Sequence, residues 1–181
     1  MTTEQQFDAA MQRCRALYAK KLHDYGAAWR VLRASSLTDQ IYIKAKRIRE
    51  LQCLGGESAS AVGEGILPEF IGIINYGIIG LIQLTLPSTC AVDLTETEAL
   101  EHYDRHVAEI RALLLAKNHD YGEAWRDMRV SSYVDLILMK ILRTKQIEDL
   151  DGATLVSEGI DANYMDMVNY SVFAVIKLTE E

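Results

Sequence analysis

Only two prolines, Pro68 and Pro87, occur in 181 residues, and no stretch of useful length alternates apolar with polar side chains. Strand-and-turn architectures need frequent chain reversals, so this scarcity leaves long helices as the expected elements. The three cysteines, Cys14, Cys53 and Cys90, are odd in number and have no metal-ligand spacing. That excludes a disulfide framework and points to incidental thiols in a reducing compartment. No secretory leader is visible after Met1, and the expected location is cytoplasmic. The most apolar run, Phe70–Leu86, is short for a membrane span and carries Asn75, Tyr76 and Gln83. It reads as a central buried helix, with no membrane partner. Neither a phosphate-cradling glycine loop nor a Ser/His/Asp or Cys/His nucleophile set is legible.

What is present is ample apolar material, 49% of the chain, and a net charge of −7 shared unevenly. Residues 1–90 carry 10 Lys and Arg against 8 Asp and Glu, a balance of +2; residues 91–181 carry 9 against 18, a balance of −9. The acidic second half disfavours an extended nucleic-acid surface, which needs broad positive charge. It leaves room for a small phosphate-bearing ligand.

The chain also states one pattern twice. Lys21, His23–Asp24–Tyr25–Gly26, Trp29–Arg30, Arg33, Ser35–Ser36, Asp39, Lys44 and Arg47 recur 96 positions later. Their images are Lys117, His119–Asp120–Tyr121–Gly122, Trp125–Arg126, Arg129, Ser131–Ser132, Asp135, Lys140 and Arg143. Between 21–54 and 117–150, 16 of 34 positions are identical, and few of these are plain aliphatic residues. A duplication kept for packing alone would hold apolar character and let polar positions drift. The kept polar and aromatic residues therefore point to a site.

The repeat divides the chain into halves, 1–88 and 94–181, packed as one body. The expected fold class is all-α, an internally duplicated helical bundle with about three main helices and a short connecting helix per half. Helical spacing of Phe7, Ala10, Met11, Cys14, Leu17 and Tyr18 marks the first helix, which stops at Gly26. A short segment around 27–33 leads to a second helix, 36–53, with Ser36 and Asp39 as its capping arrangement. After a glycine-rich loop, 55–65, the third helix runs from Pro68 to about Leu86. Thr95 with Glu98 forms a capping box for the second half's first helix, which ends at Gly122. Helices at 132–149 and 161–178, the last capped by Asp161, complete the copy.

On the second helix of each half, Ser36, Asp39, Lys44 and Arg47, and likewise Ser132, Asp135, Lys140 and Arg143, share one polar face. Arg30 and Arg33, or Arg126 and Arg129, arrive from the preceding segment. Arginine grips phosphate oxygens in a fork and lysine as a point charge. Tyr25 with Trp29, or Tyr121 with Trp125, offer flat surfaces for a base. Lys21 and Asp24, with Lys117 and Asp120, stand at the end of the first helix where a loop meets a ligand. The competing reading is an internal network: Asp24 with Arg30 or Arg33, and Asp39 with Arg47, are ion pairs that would set helix register.

In the third helices Glu64, Asn75 and Tyr76 match Glu158, Asn169 and Tyr170 at an offset of 94. Asp166 stands where the first half has Gly72, and Asp161 where it has Leu67. With Asp135 and Glu158 these aspartates supply hard oxygen ligands suited to magnesium, so a metal centre is expected in the second half alone, if anywhere. His102 and His106 lie four apart with no third ligand and read as ordinary helix surface.

At the Lys-x-x-Asp-Tyr-Gly…Trp-Arg segment, followed by a Lys/Arg-bearing helix and an Asn-Tyr helix, the chain resembles the nucleotide modification associated domain, first type. The resemblance covers both halves as tandem copies and implies a role around modified or non-standard nucleotides. The layout is more loosely similar to the all-α nucleoside triphosphate pyrophosphatases of the MazG and dimeric dUTPase kind. Those hold magnesium with a Glu-x-x-Glu pair followed by Glu-x-x-Asp. Here the first pair is missing, and only Glu158 and Asp161 fit the second.

The expectation is a nucleotide-binding helical protein acting as a magnesium-dependent pyrophosphohydrolase. In that scheme Asp135 and Asp166 are catalytic, Asp135, Glu158, Asp161 and Asp166 hold the metal, and Asn169 joins the basic and aromatic residues on the ligand. The alternative is a non-catalytic ligand- or protein-binding module with structural ion pairs. The expected partner is a nucleotide, with a homodimer as a second arrangement.

Overall fold

The computed structural model describes residues 1–56, 60–153 and 159–180, and these form helices and short connections with no strand among them. Each half contributes three long helices and one turn of 3-10 helix. The first half holds α1 (Thr3–Tyr25), the turn Ala28–Val31, α2 (Ala34–Cys53) and α3 (Leu67–Thr85). The second holds α4 (Glu96–Tyr121), the turn Ala124–Asp127, α5 (Val130–Asp149) and α6 (Ile160–Thr179).

Local chemistry accounts for most of the ends. Thr95 and Glu98 form the expected capping box on α4, and Thr2 with Gln5 forms another on α1 that the sequence reading passed over. Gly26 and Gly122 close α1 and α4 at φ +62° and +58°, a region that costs a residue with a Cβ. Two expected caps are corrected. α2 begins at Ala34 behind Arg33, with no side-chain cap from Ser36 or Asp39. The N-cap of α6 is Gly159; Asp161 sits in the first turn, where its charge suits the helix dipole without capping.

The core is built by α2, α3, α5 and α6, with α3 against α6 at its centre and α2 against α5 beside them. α1 and α4 pack on each other and each also packs on the third helix of the opposite half. The two halves therefore interlock about an approximate twofold axis, and the ion pairs record it. Arg15 pairs with Asp104 at 2.6 Å, and its image Arg111 pairs with Asp8 at 2.8 Å. Lys145 pairs with Asp39 at 2.5 Å, and its image Arg49 with Asp135 at 3.4 Å. Each bond crosses between halves, the reciprocal pattern of a symmetric dimer interface.

α3 is long and apolar enough to cross a membrane by length and composition. In this fold it is the core helix: Phe70, Ile73, Ile74 and Ile78 are fully buried. Small residues let it approach α6. A Cβ on Gly77 would lie 2.5 Å from Val168 Cγ2, and one on Gly80 would lie 3.0 Å from the Tyr164 ring. Gly77→Val should therefore cost about 1–3 kcal/mol through overpacking. Urea denaturation reads that cost, and unchanged stability would mean the two helices are free to separate.

Candidate functional site

The repeat creates two cavities in equivalent places. The first, about 580 Å³, lies between the end of α1, the first 3-10 turn, Lys44 of α2 and one face of α3. The second, about 300 Å³, lies between the end of α4, the second turn, Leu136 of α5 and one face of α6. Tyr18, Lys21, Tyr25, Ala28, Trp29, Leu32, Gly72, Asn75, Tyr76 and Ile79 line the first. Their images Leu114, Lys117, Tyr121, Ala124, Trp125, Met128, Asp166, Asn169, Tyr170 and Phe173 all line the second.

Each mouth carries a tyrosine, Tyr25 or Tyr121, that is 73% exposed, and each wall carries one of the chain's two tryptophans. Trp125 stacks on Phe173 with ring centroids 4.7 Å apart, while the Arg126 guanidinium lies 4.3 Å from the indole centroid on its own account. Both turns are pinned from behind. Gln83 donates to the carbonyls of Trp29, Arg30 and Leu32, and its image Lys177 donates to those of Arg126 and Met128 at 2.6 Å. These anchors escaped the sequence reading because glutamine and lysine do not register as an identity, although both are long donors at the same repeat position.

Three buried polar atoms of residues around the second cavity, Trp125 Nε1, Asn118 Oδ1 and Asn169 Oδ1, have no hydrogen-bond partner among the described residues, whereas beside the first cavity Trp29 interacts with the Tyr18 hydroxyl. Burial pushes the Tyr18 hydroxyl well above its ordinary pKa, so it stays protonated. Asn75 is consumed by the fold: its amide donates to Cys14 O at 3.1 Å and accepts from the Tyr103 hydroxyl at 2.8 Å. Asn169 lacks that donor because Phe7 stands at the place corresponding to Tyr103.

The acid of each half sits on a different turn. In the second cavity Asp166 accepts from Lys117 at 2.8 Å and from Lys140 at 2.6 Å. Burial raises the Asp166 carboxyl, but hydrogen bonds and charge from the two lysines outweigh it and hold the group below the usual carboxylate range. In the first half Gly72 replaces this aspartate and Glu69, one turn earlier, accepts from Lys44 at 3.2 Å and Arg47 at 2.8 Å. The stem of Lys44 runs across Gly72, where a Cβ would lie 2.7 Å from its Cδ and Cε. Lys21, the image of Lys117, is exposed and has no ion-pair partner among the described residues.

The cavities thus gather Lys21, Tyr25, Trp29 and Lys44 in one half, and Lys117, Tyr121, Trp125, Asp166 and Asn169 in the other, with Lys140 held through Asp166. The other expected site residues lie elsewhere. Arg30 is 2% exposed and faces the linker: it grips Asp93 through Nε at 2.7 Å and Nη2 at 3.1 Å, donates to Pro87 O at 2.8 Å and bonds Gln83. Arg126 bonds Glu123 and, at the start of α1, Thr3 and Gln6. Arg33 and Arg129 hold exposed N-cap positions, Arg47 is bound to Glu69, and Arg143 is exposed outside the cavity. Asp24 lines a separate shallow depression with His23 and Glu96, and Asp120 is exposed beside His119.

The described members of the expected metal set, Asp135, Asp161 and Asp166, are not brought together as ligands. Asp135 is committed to Arg49 across the α2–α5 interface, Asp161 is exposed at the start of α6, and Glu158 lies outside the described residues. Among the described residues no three His, Cys, Asp or Glu side chains gather as metal ligands. Asp166, neutralised by two ammonium groups, is a poor ligand for magnesium, which favours unshared carboxylates. His106, expected on the surface, is 5% exposed and bonds Glu109 at 2.8 Å. The three cysteines are free, and burial pushes the Cys14 thiol up to about 12, far from reactivity.

No curated protein and no solved structure matches the chain. A family model described as nucleotide modification associated domain 1 matches residues 21–84 and again residues 117–178, segments that supply most of the lining of the two cavities. With most of its length so matched, the chain belongs to the nucleotide modification associated domain 1 family, as two tandem copies.

Proposed function

We propose that this protein binds a nucleotide in a cavity of the repeated kind, the aromatic pair taking the base and the lysine taking phosphate. The observation that carries this reading is the duplicated wall: an exposed tyrosine, a tryptophan and a lysine around each cavity. Stacking on aromatic rings accepts any base, and a lysine recognises phosphate as a point charge. The family's description agrees with a nucleotide ligand. Metal-assisted pyrophosphate hydrolysis finds less support, because the acids it needs are spent on Arg49, Lys117 and Lys140.

Both tryptophans line a cavity, so their fluorescence reports directly on binding. Nucleoside mono- and triphosphates should quench it and raise the melting temperature, with no dependence on added magnesium. Tyr25→Ala should weaken binding by roughly tenfold, the worth of one stacked ring. A panel in which no nucleotide shifts the melting temperature or the fluorescence would reject the reading.

A further inference from the structure

The two cavities share their aromatic walls but not the fate of their lysines. In the second, Lys117 and Lys140 converge on one carboxylate, Asp166, at 2.8 and 2.6 Å. A carboxylate between two ammonium groups presents oxygens as a phosphate would. In the first, Gly72 removes that carboxylate, and Glu69 draws Lys44 and Arg47 one turn back along α3. Lys21 is left with no counter-ion among the described residues, at the wall of a cavity nearly twice the volume. Glu64 also lines the first cavity, but it is exposed and makes no ion pair with Lys21. The difference is therefore one of placement rather than of total charge.

We infer that Asp166 fills the anion seat of the second cavity with a group of the protein's own, so that a phosphate-bearing ligand enters the first cavity alone, at Lys21. The inference rests on the nucleotide reading above for its ligand, though not for its anion seat. A phosphate entering the second cavity must displace a carboxylate already holding two charge-assisted hydrogen bonds; one entering the first meets a lysine with no carboxylate partner among the described residues. Asp166 is thereby an internal competitor, in place before any ligand arrives.

The repeat supplies its own test, because the first half's arrangement can be written into the second. Asn163 is the image of Glu69, so Asn163→Glu with Asp166→Gly moves the acid one turn, keeps the net charge and leaves Lys140 a carboxylate to bind. Titration calorimetry with the four common ribonucleoside 5′-monophosphates, and with inorganic phosphate as a base-free probe, should give one site per wild-type chain. Lys21→Ala should weaken that site by about tenfold or more. The Asn163→Glu, Asp166→Gly chain should bind two. The reciprocal Glu69→Asn, Gly72→Asp chain should bind none.

Two equal phosphate sites on the wild type, or a single site indifferent to Lys21→Ala, would overturn the inference while leaving the nucleotide reading intact. Inorganic phosphate bound through Lys21, with no gain in affinity from any base, would sustain the seat and sink the nucleotide reading.

Discussion

Arg30→Ala lowers the unfolding free energy by about 3 kcal/mol and leaves nucleotide affinity unchanged. The guanidinium is 2% exposed and ties three elements together: the first 3-10 turn that carries it, Gln83 of α3, and the linker through Asp93 and Pro87 O. Its hydrogen bonds also hold the Asp93 carboxyl below the usual range. Asp93 is 45% exposed in its side chain and returns to water on mutation, so its charge adds little to the loss. The cost lies in the part-buried Pro87 carbonyl and Gln83 amide oxygen left unpaired and in the space vacated. For a chain of this size that is a fall of roughly 6–12 °C in melting temperature. Calorimetry measures it; a fall confined to ligand affinity would return Arg30 to the binding site.

Asp166→Asn should cost about 3 kcal/mol at pH 7, because Lys140, with a side chain only 9% exposed, loses a carboxylate partner. The sign with pH follows from the direction of the shift. Hydrogen bonds and charge from the two lysines hold the Asp166 carboxyl, in the folded state, below the ordinary carboxylate range. The carboxylate's contribution is thus fully present above the unfolded value and disappears as pH falls through the lower folded value. Asparagine imitates the protonated acid, so variant and wild type should differ at pH 7 and converge at a pH below the usual carboxylate range. Urea unfolding at the two pH values decides it. An equal gap at both would mean that shape rather than charge makes Asp166 matter.

The helices and their duplication were legible because period and repeat are local properties. Gly26, Gly122 and the Thr95–Glu98 box could be read from a few neighbouring letters. The start of α2 could not, since Ser36 and Asp39 have capping chemistry but Arg33 already ends the preceding turn. At the site, repetition singled out Lys21, Tyr25, Trp29 and their images, which do line the cavities. It also singled out Arg30, Asp39 and Asp135, equally well repeated, which serve the linker and the seam between halves. Identity at a repeat offset reports that a residue is needed, not what it touches. Asp166 is the sharpest instance. Beside Asp161 and Glu158 it spelled a metal ligand; its meaning changed because lysines reach it from α4 and α5, helices set by folds of the chain no spacing rule describes.

The crossed packing of α1 and α4 onto the opposite halves has a consequence for how such a protein can change. In an assembly of two identical subunits every substitution is made twice, so both pockets must keep the same specificity. Joined head to tail, positions 72 and 166 are separate letters of one chain, glycine in one and aspartate in the other. The shared scaffold holds both pockets in shape while each is free to acquire its own preference, and a symmetric body becomes a vehicle for two unlike tasks.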